Sequence, residues 1–167
     1  PLQWFDDMDA RDPLKFTTGV YGLMGRYYFL NNANIWAWAL YGNENARGFE
    51  KIKNNKNIPE YGGRVQLPVP RGEIALTYHH RTADSRDIPI MASYEKISED
   101  RYALDGKWDV EVGFWFEATY SHKSKNVGLL TNQILLNIGI DYTFPIGSGL
   151  NVVAEHLLSD MNERGSS

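Results

Sequence analysis

The sequence predicts an all-β fold, an antiparallel up-and-down β-barrel that crosses a membrane. Three observations lead there: strict two-residue alternation, alternating loop lengths, and charges set in mid-strand on one side only. In residues 114–120, Phe114, Phe116, Ala118 and Tyr120 share one side, and Trp115, Glu117 and Thr119 the other. In residues 133–144, Ile134, Leu136, Ile138, Ile140, Tyr142 and Phe144 oppose Gln133, Leu135, Asn137, Gly139, Asp141 and Thr143. Strand side chains alternate between two faces, so each segment is a ribbon with one oily side and one mainly polar side. Repeated strands of this kind, joined alternately by short turns and long polar loops, are the signature of a transmembrane β-barrel.

The elements follow in order. An opening loop (1–16) precedes four hairpins at about 18–42, 60–81, 100–121 and 132–159, and a closing loop occupies 160–167. The hairpins turn at Asn31-Asn32-Ala33-Asn34, Pro70-Arg71-Gly72, Glu111-Val112-Gly113 and Pro145 to Gly149, residues that suit tight reversals. Asp105-Gly106 is a competing turn signal, but turning there leaves an incoming strand too short to span. The connections 43–59, 82–99 and 122–131 are long and rich in Asn, Lys, Asp and Ser. Ten residues at about 3.3 Å, tilted near 40°, give roughly 25 Å of height, the thickness of the apolar band.

Composition narrows the class. The 167 residues are 43% hydrophobic and 23% charged with a net charge of −4, which argues against disorder and against a basic nucleic-acid surface. No run approaches the roughly 20 apolar residues of a membrane helix. The 13% aromatic content suits membrane interfaces, and equally suits strands in general. Without cysteine there is no disulfide scaffold and no thiolate zinc site. Pro1–Pro13 has no apolar stretch of the secretory kind, so the segment is expected to be mature or internal to a longer chain. Both ends fall on the long-loop side, and further strands are expected to complete a barrel larger than eight.

Alternation alone does not separate inside from outside, because a soluble ligand-binding barrel alternates with its oily side inward. The mid-strand charges favour oil outside, since a watered lumen keeps them hydrated or paired. Phe29, Tyr78, Tyr102, Trp108, Tyr120 and Phe144 fit interfacial girdles. The polar side then supplies the expected pore lining. Arg26 comes from the first hairpin; Arg64, Gln66, Glu73, His79 and Arg81 come from the second. Arg101, Asp105, Lys107, Asp109 and Glu117 come from the third, and Asn137, Asp141 and Glu155 from the fourth. Residues 35–41 are apolar on both sides, and the direction of Trp36 and Trp38 is left open.

In texture, GGRVQLPVPRGEIALTYHHR (62–81) and RYALDGKWDVEVGFWFEATYSHKS (101–124) resemble Gram-negative outer-membrane porin-type barrels, broadly the alginate-export type channels. The resemblance implies an outer-membrane location and passive transport. It transfers no substrate and no functional residue.

Other chemistry finds little support. Asp6, Asp7, Asp9 and Asp12 cluster carboxylates but lack the Gly and Glu of a calcium loop. His79 and His80 are adjacent, so they face apart and cannot chelate one ion together. Ser121 and His122 face apart for the same reason. Glu111 and Glu117 stand roughly 20 Å apart along an extended chain, too far for a glycosidase pair. The expectation is therefore no catalysis, no metal and no cofactor. The expected role is a porin-like pore for small polar solutes in outer-membrane lipid, alone, as a homo-oligomer or beside envelope proteins, and without nucleic acid. The alternatives are a barrel that anchors an envelope complex, or a soluble ligand-binding barrel.

Overall fold

The computed structural model describes residues 19–48, 50–89 and 93–163. The acidic run Asp6–Asp12 and the opening loop lie outside the described residues, as does the end of the closing loop. Nine strands form: β1 (Gly22–Tyr28), β2 (Asn34–Leu40), β3 (Lys53–Asn54), β4 (Glu60–Val69), β5 (Gly72–Asp84), β6 (Ile97–Asp109), β7 (Gly113–Lys123), β8 (Asn132–Phe144) and β9 (Leu150–Asn162). Among the described residues there is no helix, so none long and apolar enough to cross a membrane.

All nine belong to one antiparallel sheet with the order β1-β2-β4-β5-β6-β7-β8-β9, and β3 pairs with the end of β5. Each long strand therefore lies beside its neighbours in sequence, as a meander of hairpins requires. β1 and β9 end the path and do not pair with each other, so the sheet is not closed into a barrel. The expectation of a barrel is thus met only as far as an all-β antiparallel meander.

The turns obey local chemistry. Arg71 (φ 59°) and Asn32 (φ 65°) take the left-handed conformation in the first two long hairpins. The third hairpin turns between Asp109 and Gly113, leaving Asp105 and Gly106 inside β6. Gly106 has a packing reason to be there: a Cβ would lie 2.7 Å from the Trp108 ring and 2.9 Å from Phe116.

Several expected boundaries are corrected. β5 continues through Thr82–Asp84, β6 begins at Ile97, and β9 runs to Asn162, all counted as loop from sequence. Lys53 and Asn54, also expected in a loop, form β3 against Asp84 and Ala83. The cause is a small apolar cluster of Ile52, Ala83, Ile97 and Val127, flanked by Ile88, Tyr94 and Leu130. Burying these side chains draws loop and strand ends into one folded unit at the long-loop end.

Burial is inverted relative to a water-soluble sheet. His79, Arg81, Glu99 and Arg101 are buried, with at most 3% exposure, whereas Leu76 is 60% and Leu158 51% exposed. Val65, Leu104, Ile134, Ile138 and Ile140 are exposed on the same oily side. This side carries two aromatic rows. Tyr78, Tyr102 and Tyr120 are cross-strand partners, with the first two rings 5.3 Å apart. Six residues along β6, Trp108 stacks on Phe116 and meets Phe114 at a tilt, each with ring centres 6.0 Å apart. Between the rows run Leu76, Leu104, Ala118, Leu136 and Leu158, paired one to the next. Beyond the tyrosines lies a polar rim: His80 Nδ1 is 2.8 Å from Asp100, and His122 Nδ1 is 2.6 Å from Asn132. The apolar side is interrupted once at mid-height, by His156 opposite Ile138.

Candidate functional site: the polar face of the sheet

Pairing fixes which side chains share a face. Arg26 lies opposite Trp36, Trp36 opposite Arg64, Arg64 opposite Thr77, and the row continues through Ala103 and Thr119 to Leu135. Counting in twos from this row puts every charged and polar residue expected in a pore lining on the same side, from Arg26 to Glu155. Trp36 and Trp38 join them, which resolves the direction that the sequence of β2 left open.

Toward the short turns this face is open and ionic. Arg64 forks onto Asp105, Nη1 to Oδ1 at 2.5 Å and Nη2 to Oδ2 at 2.7 Å, and also donates to Thr77 Oγ1 at 3.1 Å. Gln66 donates to Glu73 at 2.6 Å, and Asn137 donates to Glu155 at 2.6 Å. The Arg26 guanidinium sits 4.1 Å from the Trp36 ring centre, and that of Arg64 5.7 Å from it. Lys107 and Asp109 are exposed. Glu117 and Asp141, with Lys107 and Trp115, border an open depression of about 480 Å3. Trp115 lies flat over Gly139, where a Cβ would meet the ring at 2.1 Å.

Toward the long loops the same face is covered. Residues 43–48 and 50–59 fold back over it, and Arg47 and Glu50 reach into an ion network with the sheet. Arg47 pairs with Glu60 at 2.5 Å and with Glu50 at 3.7 Å. Arg81 pairs with Glu50 at 3.0 Å and Glu99 at 2.7 Å, and Arg101 with the same two at 2.8 and 2.7 Å. Lys123 adds a pair to Glu99 at 3.5 Å. Arg81 also donates to the Ile52 carbonyl at 3.0 Å and to Asn54 at 2.6 Å, which ties the network to β3. His79 accepts from Trp38 Nε1 at Nδ1 (3.1 Å). Its proton then resides on Nε2, which faces Glu60 at 3.3 Å. On the loop, Glu44 bridges Lys56 at 2.9 Å and Lys53 of β3 at 3.2 Å, and these ammonium groups hold its carboxyl below the usual range.

His79, Arg81 and Arg101 therefore face protein partners under the loop, while Arg64, Glu73, Asp105, Lys107, Glu117 and Asp141 border open space. Sequence reading missed Arg47, Glu50, Glu60, Glu99 and Lys123. Three of these carried a usable signal: Glu60 shares parity with Arg64, Glu99 with Arg101, and Lys123 with Ser121. His79 and His80 point apart, as do Ser121 and His122. Among the described residues no group of three or more His, Asp or Glu is placed to hold a metal ion.

No known family, curated protein or solved structure matches this chain. The site is a charged face of the sheet backed by an apolar one.

Proposed function

We propose that this sheet is part of the wall of an outer-membrane β-barrel, a porin-like channel for passive passage of small polar solutes. The observation that carries this is the inverted burial: charges sheltered on one face, and leucine, isoleucine and tyrosine bare on the other. Monomeric soluble proteins rarely leave a contiguous apolar surface larger than a few hundred Å2 open to water. A bilayer satisfies such a face, and the aromatic rows with their polar rim suit its two interfaces. A barrel must have no open edge in lipid, so β1 and β9 are joined to further strands in the closed wall. The solute path runs along the open half of the polar face, past Arg64–Asp105, Lys107, Glu117 and Asp141. Interspersed charges of both signs there filter by size and field without strong preference for either ion sign.

One observation favours a second reading. The folding of residues 43–59 over the polar face covers part of the way through, as suits a barrel that anchors or scaffolds an envelope complex. Conductance of the detergent-purified full-length protein in a planar bilayer separates these readings. Stepwise channels whose ion preference shifts in Lys107→Glu support the pore. A detergent-requiring protein that inserts without conductance supports the anchor. Release into buffer without detergent points to a soluble ligand-binding barrel and overturns both.

A further inference from the structure

The network under residues 43–59 is out of charge balance. Among the described residues, Arg47, Arg81, Arg101 and Lys123 are linked through ion pairs to three carboxylates, Glu50, Glu60 and Glu99. The side chains of all seven are at most 6% exposed, so one positive charge in excess is held away from water. An uncompensated buried charge is strongly unfavourable and calls for a counter-charge or loss of its proton.

Two further observations show where the counter-charge fits. Nε and Nη1 of Arg47 are buried and have no hydrogen-bond partner among the described residues. Beside the network lies a partly open cavity of about 30 Å3, bordered by Arg47, Arg81, Arg101 and Lys123, by Glu50 and Glu99, whose carboxylates are engaged by these cations, and by Thr119, Ser121 and Gln133. A cavity needs roughly 10–15 Å3 on this measure to admit one water. This one therefore has room for a chloride-sized ion. Guanidinium, ammonium, hydroxyl and amide groups all offer N–H or O–H donors to an anion.

We propose that this cavity binds one small monovalent anion of the halide class, which completes the charge balance and fastens residues 43–59 to the sheet. The inference stands apart from the transport reading, because it depends only on the buried charges and the cavity.

The test uses the full-length protein in detergent and compares chloride, bromide and gluconate at equal ionic strength and pH. The thermal midpoint is expected to rise with the logarithm of halide concentration and to stay flat with gluconate. Lys123→Gln removes the excess charge with little change in length, so its midpoint is expected to lose the halide dependence. Lys125→Gln, exposed two residues away, is expected to keep it. Crystals grown in bromide are expected to show an anomalous peak between Arg47 and Lys123. Should Lys123→Gln be unfolded, the bromide peak in the unmodified protein decides. A cavity holding only water in bromide, or a halide response unchanged in Lys123→Gln, overturns the proposal. So does a Lys123 that titrates as a neutral amine at the working pH with no bromide bound.

Discussion

Arg64 and Asp105 grip each other across an intervening strand. Arg64 is on β4 and Asp105 on β6, and both guanidinium Nη atoms reach the carboxylate, at 2.5 and 2.7 Å, over Thr77 of β5. Forked pairs of this kind combine strength with a fixed geometry. The Arg64 side chain is 9% exposed and that of Asp105 22%, so the pair is neither fully dry nor freely hydrated. Asp105→Asn is expected to lower stability by about 1.5–3 kcal/mol, the range for a hydrogen bond to a charged group. A double-mutant cycle with Arg64→Met, followed by denaturant unfolding in detergent, measures the coupling. Additive effects would show that the two side chains are independent.

The network under residues 43–59 sets a larger test. Glu50 is shared by Arg47, Arg81 and Arg101, and replacing it with Gln leaves three guanidinium groups short of a partner. Breaking a buried ion pair from one side costs about 3–5 kcal/mol. Glu50→Gln is therefore expected to lower the thermal midpoint strongly and to open residues 43–59 to protease. Glu44→Gln, on the same loop but with its side chain 42% exposed and paired with surface lysines, is expected to leave both nearly unchanged. Equal effects of the two variants would contradict the assignment of the tether to Glu50.

Facing is tested by two adjacent residues of β8. Ile138 is on the exposed apolar side, while Asn137 is buried on the polar side beside Glu155. In the proposed membrane setting, Ile138→Arg costs about 2–4 kcal/mol at mid-depth. Asn137→Arg gains a carboxylate neighbour in Glu155. Insertion followed by heat-modifiable gel mobility is expected to fail for Ile138→Arg far more than for Asn137→Arg. Equal insertion of both would reverse the facing.

Orientation can be read with single cysteines, because the chain has none of its own. A membrane-impermeant maleimide is expected to label Lys56→Cys on intact cells. Ser148→Cys, on a short turn at the opposite end of the sheet, is expected to react only after permeabilisation. The opposite pattern would place the long loops on the inner side.

Trp115 and Gly139 provide a packing test. A methyl group at Gly139 would meet the indole at 2.1 Å, so Gly139→Ala must push Trp115 off the sheet. Overpacking of this kind costs about 1–3 kcal/mol. A shifted tryptophan emission with reduced stability is the expected result; an unchanged spectrum would mean that the ring does not lie there.

Two-residue alternation is a local property, and it determined the long strands, the four long hairpins and the common face shared by Arg26, Arg64, Asp105, Lys107, Glu117, Asp141 and Glu155. Even the choice between the Asp105-Gly106 turn and the later one was legible, because it rests on strand length. Direction in β2 was not: with apolar residues on both sides, only pairing of Trp36 with Arg64 put the tryptophans on the polar face. The loop network was equally hidden. Arg47 and Glu50 sit in a stretch with no period, and they meet Arg81 and Arg101 only because residues 43–59 fold back onto the sheet. The strand extensions at Thr82–Asp84 and Ile97–Glu99 depend on the cluster of Ile52, Ala83, Ile97 and Val127, whose members come from separate loops and strand ends. Periodicity reports how each strand divides its own side chains between two faces. Burial, ion pairing and the open or closed state of the sheet depend on distant segments meeting, which only the tertiary structure decides.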